Sequence, residues 1–227
     1  MAAPNPSPRT GEGSRTLCQI HLDALYQNFM VNNSQMSLDP QLEKAQLRLK
    51  LLQKRKALSP AEWQEKSHRL CCHLKSSDLY QQSLTILAYI SFRQEPDLSS
   101  LFTDTNHQWG LPRCVKKQLV WHRYSIGDTL QPGKYGILEP LPDAPILTAE
   151  EVDLILVPSV GCDRQGYRLG YGGGFYDRLL SLPQWQSKPT IGILFNLGDL
   201  LPLPIASWDK PLQGVCTEVG LREIPSE

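Results

Sequence analysis

The sequence predicts an α/β fold, a three-layer sandwich with a mostly parallel central sheet and helices on both faces. The first observation is the almost wholly apolar run 152–160, which is typical of a parallel strand covered on both sides. The second is that strand-like and helix-like segments alternate along the chain. The third is size, because 227 residues with 41% hydrophobic content suffice for one domain with a full core.

The first 38 residues do not fit this fold. They are rich in Pro, Gly, Ser and Asn, a composition that buries too little apolar surface to offset the entropy of ordering. We therefore expect residues 1–38 to be a disordered extension and residues 39–227 to form a single α/β domain. Met36, just before the first predicted helix, is a candidate for the true start, which N-terminal sequencing of the native protein would test.

Two helices are predicted at the start of the domain. Residues 42–58 consist largely of good helix formers, with leucines recurring on one stripe. In the following stretch 59–62, serine stands at the cap, proline at the first helical position and glutamate three residues after the cap. These are the features of a capping box, so a second helix is expected to run to about Leu74.

The rest of the domain is predicted to alternate between strands and helices. Residues 97–102 are expected to open a helix, and 175–182 to form a short helix directly after a run of glycines. Besides 152–160, apolar and partly β-branched segments predict strands at 84–90, 119–124 and 189–195.

Charge, hydropathy and cysteine spacing argue against several classes of function. Lys plus Arg and Asp plus Glu both number 23, whereas a nucleic-acid-binding protein usually carries a basic excess. No apolar run approaches the ~20 residues that cross a bilayer, and the N-terminus lacks the apolar stretch of a signal peptide. The six cysteines lack the paired spacings of a zinc site. We expect a cytoplasmic protein with reduced thiols and no membrane partner.

A glycine-rich segment after the apolar strand is the strongest functional signal. It reads Arg168-Leu169-Gly170-Tyr171-Gly172-Gly173-Gly174-Phe175-Tyr176-Asp177-Arg178. Consecutive glycines let backbone N–H groups approach a ligand, and the following helix adds donors and partial positive charge, which together favour phosphate. The arginine at its start can clamp a phosphate oxygen. The pattern is neither a Walker loop nor a Rossmann fingerprint, and a turn that only allows close strand–helix packing is the alternative.

Asp177 is unexpected beside phosphates, because its carboxylate would repel them. A magnesium ion bridging this carboxylate to the phosphates would explain it. The alternative is that an acidic residue in the first turn of a helix simply stabilises that helix.

The whole string 168–178 closely resembles the signature of the 5-formyltetrahydrofolate cyclo-ligases, also called 5,10-methenyltetrahydrofolate synthetases. In that family a strand ending in proline precedes an Asp-x-x-Gly-x-Arg-Leu-Gly turn, then glycines, two aromatic residues and Asp-Arg. Pro158, Asp163 and Gly166 complete the match here. Other segments match in the same order from about residue 44 to about residue 218, namely Lys44 with Arg48, 91–97 with Glu95, 136–140, and 208–218 with Asp209.

The resemblance implies ATP-dependent cyclisation of 5-formyltetrahydrofolate to 5,10-methenyltetrahydrofolate, with release of ADP and phosphate, through a phosphorylated formyl intermediate. It implies Mg²⁺ as cofactor, ATP and 5-formyltetrahydrofolate as partners, and a monomer. Arg168 and Tyr171 would be catalytic, and Asp177 and Asp209 would associate with the metal. The implied folate contacts are Ile90, Glu95, Tyr171, Gly172, Gly173, Gly174 and Phe175. The implied ATP contacts are Lys44, Ala45, Gln46, Leu47, Arg48, Arg168, Leu169, Gly170, Tyr171, Gly172, Gly173, Gly174, Phe175 and Tyr176.

The chain departs from the family pattern at two places. Cys162 stands where the family often has Phe, and 196–198 reads Asn-Leu-Gly where the family often has Glu-x-Gln. The second departure leaves the local wall of the folate site undefined.

Three other interpretations compete with the cyclo-ligase. A non-catalytic folate- or nucleotide-binding protein on the same fold would not need Lys44, Glu95, Arg168 and Asp177 together. Another α/β enzyme, such as a sugar-phosphate isomerase, would leave Asp209 and the basic face of the first helix without a role. An RNA-binding relative would need a basic or aromatic platform, and the sequence lacks one.

Overall fold

The computed structural model describes residues 39–199 and 202–225. The predicted disordered extension, 1–38, lies outside the described residues and stays a prediction. The described residues from Pro40 onward form one compact unit. Its helices are α1 (Pro40–Lys56), α2 (Pro60–Lys75), α3 (Asp78–Gln82) and α4 (Phe175–Leu180). Its strands are β1 (Thr85–Leu87), β2 (Gln108–Val115), β3 (Gln118–Tyr124), β4 (Leu130–Pro132), β5 (Leu138–Pro140), β6 (Leu154–Pro158), β7 (Gly161–Cys162), β8 (Arg168–Leu169), β9 (Thr190–Ile193), β10 (Gly214–Cys216) and β11 (Leu221–Glu223).

The central sheet has seven strands in the order β11-β10-β9-β6-β1-β2-β3. All neighbours from β10 to β2 are parallel, and only the two edge strands pair antiparallel. Alternate residues of β6 face opposite layers: Leu156 packs in a cluster with Leu70 of α2, and Ile155 in another with Leu179 of α4. This alternation is why the whole strand is apolar, and it confirms the predicted three-layer sandwich.

The predicted helices α1, α2 and α4 are present, and the capping box is confirmed. Ser59 Oγ accepts a hydrogen bond from Glu62 N at 3.3 Å, and Glu62 Oε2 accepts one from Ser59 N at 2.9 Å. The helix expected at 97–102 is only a 3-10 turn, Ser99–Leu101. Asp97 explains the difference, because its carboxylate accepts from Ser99 N and thereby competes with a helical turn.

Within the described part of the chain, no helix is both long and apolar enough to cross a membrane. The described cysteines Cys71, Cys72, Cys114, Cys162 and Cys216 are free thiols.

The order of the strands creates a crevice at one edge of the sheet. From β1 the chain continues to β2 on one side, whereas β6 leads to β9 and β10 on the other. The direction of winding therefore reverses between β1 and β6. In open parallel sheets, ligands bind outside the carboxyl ends of the strands at such a point. The loop after β1 carries Glu95, and the loops after β6 lead through a short hairpin to the glycines.

That short hairpin joins β7 to β8 and explains the Asp-x-x-Gly part of the signature. Asp163 Oδ1 accepts hydrogen bonds from Gln165 N and Tyr167 N, both at 2.9 Å. Gly166 has φ +88°, in the left-handed region that favours glycine. The turn therefore fixes where β8 begins, and with it the position of Arg168.

Substituting Gly166 by alanine is expected to destabilise the protein strongly. The new methyl group would collide with the carbonyl oxygen of Leu212 and lie 2.7 Å from Ile224 Cδ1. Gly127→Ala is the matched control, because Gly127 has φ +97° but no atom of the described residues lies within 4 Å of the added carbon. We expect a loss of about 1–2 kcal/mol for Gly127→Ala and about 1–3 kcal/mol more for Gly166→Ala. Urea unfolding measures both, and equal losses would contradict the steric argument.

Candidate active site

Two glycines of the loop adopt the left-handed conformation that the sequence predicted for this segment. Gly172 has φ +95° and Gly174 has φ +64°. Gly170 serves a different purpose, because a side chain there would meet Arg168 Nη1 at 2.5 Å. The bare backbone at Gly170 thus makes room for a guanidinium.

Arg178, at the end of the signature, holds the loop in shape. Its Nη2 donates to the carbonyl of Gly173 at 2.9 Å, and its Nε donates to the carbonyl of Lys117 at 2.8 Å. Its guanidinium also lies 5.1 Å from the ring centre of Phe175. These bonds tie the glycines to the turn between β2 and β3.

Arg168 is a buried cation with one unused donor. Its Nη2 lies 3.1 Å from Asp177 Oδ1, and its guanidinium lies 5.3 Å from the ring centre of Tyr176. Arg168 Nε has no hydrogen-bond partner within 39–199 and 202–225. An unpaired buried donor is costly, and an anion bound at the loop could satisfy it.

Helix α1 presents Lys44 and Arg48 to the same region. Lys44 Nζ forms an ion pair with the Asp209 carboxylate, whose Oδ2 also accepts from Ala206 N at 2.8 Å. Arg48 Nε donates to the carbonyl of Gly170 at 2.6 Å. Burial lowers the pKa of Arg48, so its charge is incompletely compensated. The predicted basic pair therefore adjoins the glycine loop, where a phosphate would supply the missing countercharge.

The other predicted ATP contacts of α1 have different surroundings. Ala45 and Gln46 are exposed. Leu47 packs against the apolar cluster of Leu51, Val160 and Leu169, and Leu169 directly precedes the glycine loop. Leu47 and Leu169 are thus part of the packing that joins α1 to the loop.

The segment after β1 is a tight turn that folds Glu95 inward. Arg93 and Gln94 have φ of +49° and +57°, an unfavourable conformation for non-glycine residues. Glu95 Oε2 accepts from Phe92 N at 3.0 Å, and the Glu95 carbonyl accepts from Ser91 Oγ at 2.7 Å. The carboxylate that the sequence assigned to folate is 5% exposed and fixed in place.

Burial raises the pKa of Glu95 to about 7. Three groups oppose this shift: the positive charge of Arg55, the Phe92 backbone N–H and a hydrogen bond from the Tyr171 hydroxyl. The carboxylate of one loop and the tyrosine of the glycine loop therefore meet across the crevice. Such perturbed pKa values are typical of functional sites.

Sequence reasoning missed Arg55, which donates a hydrogen bond from Nη2 to the Tyr171 hydroxyl. Arg55 lies seven residues after Arg48, about two helical turns, and therefore on the same face of α1. This spacing is the signal by which it could have been found among the neighbouring lysines.

An open cleft of about 400 Å³ lies beside the Glu95 turn. Ile90, predicted to contact folate, is one of its walls. Aromatic rings from α2, from the end of β1 and from the 97–102 segment supply much of its apolar lining. The full set is Trp63, Tyr89, Ile90, Ser91, Gln94, Asp97, Ser99 and Phe102.

The two departures from the family pattern have structural explanations. Cys162 is fully buried in an apolar cluster with Leu194 and Val215. In the 196–198 wall, the Asn196 backbone N–H donates to Glu218 Oε2 at 2.8 Å, and Lys66 Nζ lies 2.6 Å from Glu218 Oε1. The wall is held by its backbone and by Glu218, so it does not depend on the side chains that the family often has there.

The carboxylates predicted to associate with a metal fit an ion that arrives with a nucleotide. Asp177 and Asp209 are each paired with a cation of the predicted phosphate site, Arg168 and Lys44. Magnesium in nucleotide enzymes usually takes one or two protein carboxylates, and phosphate oxygens and waters supply its other ligands. Among the described residues, no group of three or more His, Cys, Asp or Glu could hold an ion by itself. These carboxylates therefore suit a magnesium ion whose remaining ligands come from a bound nucleotide and water.

Comparison with known proteins gives a consistent result. The model of the 5-formyltetrahydrofolate cyclo-ligase family matches residues 40–218. The 5-formyltetrahydrofolate cyclo-ligase of Haemophilus influenzae is 30% identical over 179 residues, which cover 75% of this chain and 95% of the relative. The 5-formyltetrahydrofolate cyclo-ligase of Escherichia coli K12 is also 30% identical, over 178 residues, which cover 73% of this chain and 94% of the relative.

A solved structure agrees in fold. The 5,10-methenyltetrahydrofolate synthetase of Aquifex aeolicus has 32% sequence identity and a TM-score of 0.72, with 81% of this chain and 94% of that chain covered.

Proposed function

The chain belongs to the 5-formyltetrahydrofolate cyclo-ligase family, and we propose that it closes 5-formyltetrahydrofolate to 5,10-methenyltetrahydrofolate with ATP as the phosphoryl donor. Membership of this family, an enzyme family, is what the signature 168–178 predicted. One observation carries the ATP part of the proposal: buried Arg168, with its unused Nε, adjoins a glycine loop that also contacts Arg48, one turn of α1 from Lys44. The proposal retains the expectation of a cytoplasmic monomer.

The chemistry requires activation of an unreactive amide. The formyl oxygen of the substrate attacks the γ-phosphorus of ATP, and the bond from phosphorus to the ADP oxygen breaks. N10 then attacks the formyl carbon, N10 loses its proton, and the carbon–oxygen bond breaks to release phosphate. Phosphoryl transfer depends on positioning and charge neutralisation rather than on a protein nucleophile.

Arg168, Lys44 and Arg48 are suited to hold the triphosphate. The buried Arg168 guanidinium has a planar fork that matches phosphate oxygens. Lys44 and Arg48 share one face of α1, and Arg48 contacts the glycine loop at the Gly170 carbonyl. Backbone N–H groups of Gly172, Gly173 and Gly174 provide further donors, because a glycine has no side chain of its own to keep a ligand away.

Glu95, Ile90 and Tyr171 are suited to hold the folate. The pterin ring presents N–H donors, and the ionised Glu95 carboxylate accepts hydrogen bonds only. Ile90 offers an apolar wall in the adjacent cleft. Tyr171 belongs to the glycine loop yet contacts Glu95, so it stands where the two substrates would meet.

A magnesium ion bound with ATP would neutralise charge on the transferred phosphoryl group. Asp177 and Asp209 are the residues that would hold it. Their present ion pairs with Arg168 and Lys44 keep both carboxylates beside the phosphate-binding cations.

The proposal is tested with purified protein, 5-formyltetrahydrofolate, ATP and magnesium, with methenyl product followed by absorbance. We expect product only when ATP is present, with ADP and phosphate formed in equal amounts. Protein that is folded and binds folate but makes no product would instead be a non-catalytic binding protein on this fold. Product without ATP consumption would refute the phosphorylated intermediate.

A further inference from the structure

Arg55 is a buried cation to which the proposed chemistry assigns no role. It lies in the last turn of α1 and is 4% exposed. Its Nη2 donates to the Tyr171 hydroxyl, and its guanidinium lies 5.4 Å from the centre of the Tyr171 ring. Its Nε has no hydrogen-bond partner in the part of the chain that the structure describes. Burying a guanidinium costs several kcal/mol unless it is compensated, so a nearby anion is expected.

Glu95 is an anion within range of this charge, and the Tyr171 hydroxyl lies between the two groups. The charge of Arg55 acts on the Glu95 carboxylate, and the Tyr171 hydroxyl hydrogen-bonds to the same carboxylate. Arg55, Tyr171 and Glu95 thus form a chain from α1, through the glycine loop, to the loop after β1. These elements lie on both sides of the crevice between β1 and β6, so the chain links the predicted ATP and folate halves of the site.

We propose that Arg55 is a positioning residue that keeps Glu95 ionised and holds the Tyr171 hydroxyl against it, so that Glu95 can accept hydrogen bonds from the pterin N–H groups. The inference rests on the proposed function, because it assumes that Glu95 binds folate. A protonated Glu95 would present a donor to those N–H groups and bind them poorly. Arginine suits this role because its charge persists at any physiological pH.

Among the described residues, Arg55 is the cation that opposes the effect of burial on Glu95. The titratable groups that face it are Arg55 from α1, Tyr171 from the glycine loop, Tyr89 after β1 and Tyr176 from α4. Burial raises the pKa of Tyr171 to about 12 and also raises the pKa values of Tyr89 and Tyr176. The three tyrosines are therefore neutral at physiological pH, which leaves Arg55 as the charged group that favours the carboxylate, beside the hydrogen bonds from Phe92 N and Tyr171.

The test measures affinity for 5-formyltetrahydrofolate by calorimetry, without ATP, between about pH 6 and about pH 9. For the wild type, affinity should rise with a midpoint near the Glu95 pKa of about 7. Arg55→Leu should move that midpoint upward by about 1 unit or more and weaken binding about tenfold at neutral pH. ATP affinity should change less than about twofold, because the phosphate contacts are elsewhere. Lys56→Leu, which removes an exposed charge from the same helix, is the matched control and should behave as the wild type.

Arg55→Gln separates charge from hydrogen bonding, because glutamine can still donate to Tyr171. Arg55→Gln should shift the midpoint of folate affinity against pH in the same direction as Arg55→Leu. It replaces Arg55→Leu in the test if that variant fails to fold. An unchanged midpoint in a folded variant, or an equal loss of folate and ATP affinity, would show that Arg55 is merely structural. If folate binding to the wild type does not vary with pH, the role of Glu95 is rejected. Failure of the ATP-dependent assay would instead reject the proposed function, and it would leave the result of this binding test unaffected.

Discussion

Replacing Asp177 by alanine is expected to lower kcat by at least about a hundredfold while the fold survives. Asp177 lies in the first turn of α4 and pairs with Arg168 at 3.1 Å. If Asp177 holds the magnesium ion, its loss leaves charge on the transferred phosphoryl group uncompensated. The cost to folding should be moderate, about 1–3 kcal/mol, because the buried Arg168 loses its ion-pair partner while the core of the domain is untouched. Steady-state kinetics and urea unfolding measure the two effects.

Magnesium titration separates two explanations for such a loss. If Asp177 binds the ion, Asp177→Ala should raise the magnesium concentration for half-maximal rate, and Asp177→Glu should restore part of the activity. If Asp177 only orients Arg168, kcat should fall with the magnesium requirement unchanged. Asp143→Ala, which removes an exposed carboxylate from a surface turn, is the control. Unchanged turnover in Asp177→Ala would remove the metal from this residue.

The parts of the fold that the sequence predicted are those with local signals. The capping box of α2 and the doubly buried β6 each depend on a few consecutive residues. Strand β2 was missed because Gly110 and Pro112 interrupt its pattern, and both residues are normally unfavourable in a strand. Packing explains the glycine, since a side chain there would lie 2.7 Å from Leu147 Cδ1. That contact joins distant parts of the chain, so no pattern in the neighbouring sequence indicates it.

The same distinction applies to the site. The glycine loop is one continuous string, and Lys44 and Arg48 are four residues apart on a helix, so the sequence predicted both. The helical spacing from Arg48 places Arg55 on the same face of α1, but its contact with Tyr171 spans 116 residues, so the sequence does not indicate the partner. The support that Glu218 gives to the 196–198 wall spans 22 residues and depends on a backbone N–H, which every residue except proline has. Local sequence patterns therefore point to the residues of the proposed phosphate half more directly than to the contacts of the proposed folate half.

Glu95→Gln is expected to weaken 5-formyltetrahydrofolate binding by about a hundredfold or more at about pH 8, because each hydrogen bond to a charged group contributes about 1.5–3 kcal/mol. Glutamine has nearly the same shape, and its carbonyl oxygen can still accept from Phe92 N. ATP affinity should be retained, since the phosphate contacts come from other residues. Calorimetry with each ligand measures this, with Glu65→Ala on the exposed face of α2 as the control. Intact folate affinity would contradict the role of Glu95.

The same substitution should stabilise the protein above neutral pH. Burial raises the pKa of Glu95 from its ordinary value of 4.5 to about 7 in the folded state, so the folded protein binds the proton more tightly than the unfolded chain. The wild type should therefore lose stability as pH rises between these values, and Glu95→Gln should not. At about pH 8 the variant should be more stable by about 2–4 kcal/mol, and below about pH 4 this difference should vanish. Urea unfolding across this range tests the sign. If Glu95→Gln is less stable than the wild type at high pH, the negative charge of Glu95 is fully compensated by its surroundings. If it is more stable, the site retains a buried charge for its substrate at a cost in stability.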